Sequence, residues 1–169
     1  MTPPFFHEVV QRAKSARLSK QEKVKLWSVC EMDGAVITAL RAEGIEMQHS
    51  PVITATIKDL AHARREGKKD RLSEHDLTNL PNLIAQPQAV MLDRGEHGRG
   101  RDLLYIFESV DAPAGKYAKV VVRVGYKAHM KTPAGQPNRL VVTNSIRSAR
   151  YMDIKGLQGR RYKLLKSAL

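Results

Sequence analysis

The chain has 169 residues, 29 Lys plus Arg against 17 Asp plus Glu, a formal net charge of +12 at pH 7 and 42% hydrophobic residues. The apolar fraction is enough for a core and the length suits one ordinary domain. The single cysteine, Cys30, has no partner for an internal disulfide and no Cys/His cluster around it, so no metal and no cofactor is expected.

The opening MTPPFFHEVVQRAKS lacks the order of a signal peptide, and no apolar run is long enough to cross a bilayer. A cytoplasmic protein with no membrane contact is therefore expected. Lys and Arg that neutralise phosphates release counterions, which makes nucleic acid the leading partner class for so basic a chain. A membrane surface fits less well, because the cations are spread along the sequence and no one helix concentrates them.

Phe5, Phe6, Val9, Val10, Ala13 and Ala16 recur at helical spacing and predict an amphipathic opening helix. Ser19 and Glu22 have the spacing of a capping box, which predicts a second helix from about Lys20 to about Met32. Gly34 to Pro51 fits a helix or a hairpin arm equally. Thr56 opens TIKDLAHARREG, a helix whose apolar Ile57, Leu60 and Ala61 leave Lys58, His62 and Arg65 on a polar stripe. Ser73 to Asp76 starts a further short helix, with Leu77, Leu80 and Ile84 inward and Pro81 bending or restarting it.

Beyond Pro87 the hydrophobic period shifts towards two. Ala89 to Leu92 is a short strand, DRGEHGRGRD is a charged glycine-rich turn, and LLYIFESV, YAKVVVRVGY and RLVVTNSIRS are three more strands with Pro/Gly connectors. The predicted fold class is α+β, with N-terminal helices packed on an antiparallel sheet of about four strands. The chain then divides into a helical extension (1–50), an α+β domain (51–152) and a basic tail (153–169) that is a terminal helix or a disordered arm.

Strand alternation sets Val120, Val122, Val124 and Tyr126 on one face and Lys119, Val121 and Arg123 on the other. In the next strand Arg139, Thr143, Ser145 and Arg147 fall opposite Leu140, Val142 and Ile146. Paired with their apolar faces on the helices, these strands expose Lys119, Arg123, Arg139, Thr143, Ser145 and Arg147 on one open surface, with four cations and no carboxylate. Arg forks and hydroxyls suit phosphate. The plainer alternative is a solvated sheet face.

Metal-independent RNA cleavage needs a base for the 2′-hydroxyl, an acid for the leaving oxygen and cations for the charge on phosphorus. His62 is the best-placed histidine, because Lys58 and Arg65 on its stripe favour neutral imidazole, and His75 is second. Asp70, Glu74 and Asp76 read as capping charges and not as a two-metal site. The sequence has no P-loop, dinucleotide fingerprint or serine elbow.

The succession TIKDLAHARR, LSEHDLTNLPNLIAQPQAVMLD, LLYIF, KVVVRVGY and VVTNSIRSA resembles the phage-associated branch of the superfamily that joins barnase, EndoU, colicin and RelE nucleases. Such domains are often found at the C-terminus of Mu-type head morphogenesis proteins, and the resemblance spans about residues 52 to 151. It implies N-terminal helices against a four-stranded antiparallel sheet, and a metal-independent endoribonuclease of phage or prophage origin that leaves a cyclic phosphate. It maps the helix histidine onto His62, the strand cation onto Arg123 and the last-strand polar cluster onto Thr143, Asn144, Ser145 and Arg147. Alternation sets Asn144 on the apolar face unless a bulge re-aims it.

The expectation is thus a catalytic set of His62, Arg123, Thr143, Ser145 and Arg147, with Lys58, Arg65, Lys119, Arg139 and Asn144 binding nucleic acid, RNA being favoured. An acidic immunity protein or a phage head protein is the protein partner to consider. The alternative is a non-catalytic nucleic-acid-binding or phage structural module. With 5% aromatic residues such a module reads backbone more than bases.

Overall fold

The computed structural model describes residues 4–14, 22, 25–64, 69–130 and 139–168. Helix α1 (Pro4–Arg12) buries Phe6, Val9 and Val10, the apolar stripe seen in the sequence. Of the second predicted helix Glu22 is helical, but the part from Leu26 on is corrected. Leu26–Glu31 is strand β1, paired antiparallel with strand β2 (Val52–Thr56) so that Trp27 lies opposite Ala55. The capping signal at Ser19 is local, whereas Trp27 and Val29 have a distant strand to pack beside, and tertiary pairing wins. Ser19 to Gln21 lie outside the described residues.

The ambiguous stretch resolves into helix α2 (Gly34–Ala42) followed by irregular chain. Asp33 caps it by accepting from the Ala35 amide at 2.7 Å, Val36 and Leu40 are buried four residues apart, and Gly44 at φ +80° ends it. Helix α3 (Ile57–Ala63) starts after Thr56, whose hydroxyl accepts from the Asp59 amide at 3.1 Å. Helices α4 (Glu74–Thr78) and α5 (Leu80–Ala85) follow, the first capped by Ser73 and the second restarting with Pro81 in its opening turn.

The remaining strands are β3 (Ala89–Asp93), β4 (Asp102–Phe107), β5 (Tyr117–Met130), β6 (Arg139–Met152) and β7 (Tyr162–Ser167), with a 3-10 turn at Ile154–Gly156 before the last. They join β1 and β2 in one seven-stranded sheet of order β1-β2-β6-β5-β4-β3-β7. Every neighbouring pair is antiparallel except β2 with β6.

The fold is therefore α+β, but the sheet is mixed and has seven strands where about four antiparallel ones were expected. The helices do not all precede it, since β1 and β2 are interleaved with them. The tail is neither helix nor loose arm over its described residues, because β7 pairs with β3, Tyr162 opposite Asp93.

The main core lies between one sheet face and the helices. Val90, Leu103, Tyr105, Val120, Val122 and Ile146 meet Phe6, Leu40, Leu60, Leu77 and Ile84 there. Burial of this set outweighs any single polar contact in the molecule. Val29 and Leu40 from the first 50 residues belong to the same cluster as Val122. The opposite face carries a smaller cluster, Leu104, Ile106 and Leu157, against which Met91, Val121, Ile154 and Tyr162 pack. Among the described residues no helix is long and apolar enough to cross a membrane.

Candidate nucleic-acid interface

Cross-strand partners share a face, so the register identifies what stands beside what. One row crosses the whole sheet on the side away from the helices: Tyr162, Asp93, Asp102, Arg123, Ser145, Thr54 and Ser28. Arg123 and Ser145 are thus direct neighbours on one face.

The same row brings carboxylates that the two-strand reading lacked. Asp102 holds Arg123 through Nε at 2.8 Å and Nη2 at 3.1 Å. Asp93 holds Arg161 through Nε at 2.7 Å and Nη2 at 2.9 Å. The expectation of a face without carboxylates is therefore corrected, and the acids come from β3 and β4. Hydrogen bonding to Arg161, then to the Gly95 amide, keeps the Asp93 carboxyl below the usual carboxylate range. Half-buried Lys119 is shifted down by desolvation and by Arg150, its cross-strand partner, although Asp93 opposes this.

Two irregularities re-aim side chains. Between Arg123 and Tyr126 on β5, opposite Ser145 and Thr143 on β6, an extra residue is accommodated at Gly125, which has φ +70°. The bulge moves Tyr126 off the face of Val120, Val122 and Val124, where simple alternation set it, and onto that of Arg123 and Thr143. A second shift, between Val121 and Val122, leaves Arg147 as the extra residue on β6. The Arg147 guanidinium lies 4.3 Å from the centre of the Tyr126 ring, and its Nη1 is 3.5 Å from Asp59 Oδ1. Arg147 thereby ties the sheet to the first turn of α3.

The hydroxyls beneath this bridge are not open. Thr54, Thr143 and Ser145 are 8%, 5% and 2% exposed. Thr54 Oγ1 and Thr143 Oγ1 are 2.9 Å apart, and Thr54 also donates to the Asn144 carbonyl at 3.4 Å. They are buried because β2 pairs with β6, a neighbour absent from the sequence reading. The expected open hydroxyl surface is corrected accordingly.

Asn144 is fully buried on the apolar side. Its Nδ2 donates to the Ser50 carbonyl at 3.1 Å and the Val52 carbonyl at 3.2 Å. Its Oδ1 is then the acceptor, bonded to His49 Nε2 at 2.7 Å and reached by the Gly125 amide at 3.4 Å. Asn144 pins β2, the loop before it and the bulge together, and does not face a phosphate.

Lys58 and His62 are exposed on α3, one turn apart. Arg65 lies outside the described residues. Arg139 is exposed at the start of β6, opposite Met130 and four residues from Thr143. The structure thus gathers Arg123, Thr143, Ser145 and Arg147 around Tyr126, and separates Asn144 and Arg139 from them. His75 is exposed on α4. Asp76 is buried, accepting from Tyr151 and Ser109 hydroxyls, each at 2.5 Å, while Asp70 and Glu74 pair with Lys116 and Lys14. Among the described residues no three His, Cys, Asp or Glu side chains group closely enough to hold a metal ion.

One signal in the sequence went unused. From Ala112 to Met152 there is no Asp or Glu, and there are eight Lys or Arg. This stretch builds β5 and β6, each 14 residues long, more than twice any other strand. Strand β4 pairs with β5 only over Ala118 to Arg123, and β2 meets β6 only at Asn144 and Ser145. The last five cross-strand pairs, Tyr126 with Thr143 through Met130 with Arg139, therefore form a two-stranded ribbon that pairs with no further strand among the described residues, its first pair rooted on β2 through the Thr143–Thr54 hydroxyl contact.

On this ribbon Lys127, His129 and Arg139 are exposed, as are Leu140 at 50% and Val142 at 40%. Its root is joined to the β3–β4 turn, where the Arg101 carbonyl accepts from the Val124 amide at 2.9 Å and Arg99 and Arg101 are exposed. Comparison with protein-family models, curated proteins and solved structures finds no match to this chain.

Proposed function

We propose that this chain is a nucleic-acid-binding module that meets the phosphate backbone with its β5–β6 hairpin and the adjoining β3–β4 turn. The observation that carries this reading is the acid-free run from Ala112 to Met152 with its eight cations. Three of them are neutralised locally: Lys116 by Asp70, Arg123 by Asp102 and Arg147 by Asp59. Lys127, Arg139 and Arg150 are exposed and have no carboxylate within ion-pair distance among the described residues. Arg123 spends Nε and Nη2 on Asp102, so its Nη1 keeps two hydrogens for a phosphate oxygen. With few aromatic residues, recognition rests on backbone charge and groove shape. Such a module suits a cytoplasmic setting.

Fluorescence anisotropy with labelled DNA and RNA oligonucleotides tests this. Four phosphate contacts weaken binding about 100-fold between about 50 and about 200 mM salt. Absence of binding at low salt, or salt-independent binding, contradicts the reading.

A second reading, metal-independent RNA cleavage by 2′-hydroxyl attack, is favoured by one observation. Arg123 and Arg147 share a face with Tyr126, and the Arg147–Asp59 contact tethers there the helix that carries His62. In that reading His62 is the general base or acid, the two arginines stabilise the phosphorane and Thr143 and Ser145 orient the strands beneath it. Phage or prophage origin and an immunity or phage head partner belong to it as well. Incubation with tRNA and total RNA in EDTA yields cyclic-phosphate ends, and His62→Ala and Arg123→Ala each abolish them in a folded protein. Unchanged cleavage in both variants disposes of this reading.

A further inference from the structure

We infer that the ribbon formed by Tyr126–Met130 and Arg139–Thr143 inserts into the major groove of B-form duplex DNA. The inference rests on the nucleic-acid reading above and narrows it to one substrate class.

Dimensions come first. Five cross-strand pairs extend past the sheet, and at about 3.3 Å per residue the ribbon is about 16 Å long, with strands about 4.8 Å apart. The B-form major groove, about 12 Å wide and about 8.5 Å deep, admits a two-stranded ribbon. The deep, narrow major groove of A-form RNA does not. The strands flanking β5 and β6 stop before the ribbon begins, so among the described residues no strand lies beside it along the approach to the groove walls.

Chemistry points the same way. The register sets Tyr126 and Ala128 with Thr143, Val141 and Arg139 on one ribbon face, and Lys127 and His129 with Val142 and Leu140 on the other. Each face therefore mixes small or branched apolar groups, which meet thymine methyls, with a cation or imidazole, which meets guanine acceptors or phosphates. Leu140 and Val142, 50% and 40% exposed and two residues apart on β6, offer thymine methyls a small apolar contact on that face.

A hydrophobic protein partner would meet Lys127 and His129 beside that pair, with no acid of this hairpin to balance them. A polyanion is complementary to them. At the ribbon's root Arg101 Nη1 stands 3.8 Å from where a Gly125 side chain would begin, Arg99 lies two residues along the same exposed turn, and Glu96 is the one carboxylate of residues 94–101. These arginines stand where the groove's bordering phosphates would run.

The test compares the intact chain with one in which residues 128–141 are replaced by Asn-Gly. Lys127 and Val142 are cross-strand partners, so a two-residue turn closes the hairpin in register. Both are titrated with matched DNA and RNA duplexes of one sequence over a range of salt, after circular dichroism has checked that they fold alike. The intact chain is expected to prefer DNA by about tenfold or more, and the trimmed chain to lose that preference and about one unit or more of salt slope, the loss of Arg139 accounting for one. Arg139→Ala alone, a surface change that leaves the fold in place, removes about one unit.

Equal binding of DNA and RNA by the intact chain overturns the inference and leaves the nucleic-acid reading standing, as does a trimmed chain that binds like the intact one. Trimming that abolishes self-association in light scattering while sparing DNA binding also overturns it, in favour of a second copy as occupant. No binding of either duplex by the intact chain removes both readings.

Discussion

On one side of Gly125, β5 and β6 lie inside the sheet, where Asp102 answers Arg123 and Asp59 answers Arg147, and at the boundary the hydroxyls of Thr143 and Thr54 satisfy each other. On the other side the same two strands run on alone, and Lys127, His129, Leu140 and Arg139 face solvent. The composition is alike in both halves, and only the neighbours differ. A cation therefore counts towards a polyanion site according to what the adjacent strand supplies, which no reading of one strand alone reveals. The buried half supplies rigidity and the free half supplies charge and reach.

The largest expected effect tests the rigid half. Asn144→Ala removes two donors to the Ser50 and Val52 carbonyls and the acceptor for His49. Burial without replacement partners makes this worth about 3 kcal/mol in urea unfolding. A loss below about 1 kcal/mol shows that the residue is not the pin described.

Gly125→Ala comes next. The nearest atoms to an added methyl are Arg101 Nη1 and His49 Cε1, each 3.8 Å away, so space is not the obstacle. The cost is the left-handed backbone at φ +70°, about 1 to 2 kcal/mol. Equal stability of the variant by thermal unfolding excludes a strained bulge.

Acid titration probes the ion pairs more gently. Arg161, Lys166, Lys116 and Lys14 hold the carboxyls of Asp93, Asp33, Asp70 and Glu74 below their ordinary range by hydrogen bonding. Folded values depressed below unfolded ones stabilise the protein above the unfolded value and lose that stabilisation as pH falls through the folded one. Unfolding midpoints should be level from about pH 7 to about pH 5 and fall below about pH 4. Arg161→Ala should flatten the acid limb, and an unchanged limb assigns no part of it to Asp93.

Smallest of all for stability is Lys127→Ala, within about 0.5 kcal/mol of the parent because this exposed cation has no carboxylate within ion-pair distance among the described residues. The same change should lower the salt slope of nucleic-acid binding by about one unit. A stability loss with an unaltered slope reverses the assignment of the two halves.

Much of this fold can be read along the chain. Thr56 and Ser73 cap α3 and α4 as their spacing implies, and Ala89 to Met152 gives four strands with turn residues between them. What escapes local pattern is pairing at a distance. LWSVCE becomes a strand because VITAT is there to receive it, and YKLLKS because β3 has a free edge.

The site was legible to a similar depth. Alternation put Arg123 and Ser145 on one face, while the buried state of Thr143 and Ser145 and the turn of Tyr126 followed from the β2 partner and the Gly125 bulge. Alternation also assigned Asn144 to the apolar side, where it lies.

The most direct measurement is the slope of log Kd against log salt for a DNA duplex, for the intact chain and for the Lys127→Ala/Arg139→Ala double variant. A steep slope that falls by about two units in the variant, with the unfolding midpoint unmoved, is the expected result. Identical slopes would mean that these exposed lysine and arginine side chains meet no phosphate, and the hairpin's charge would then serve some other end.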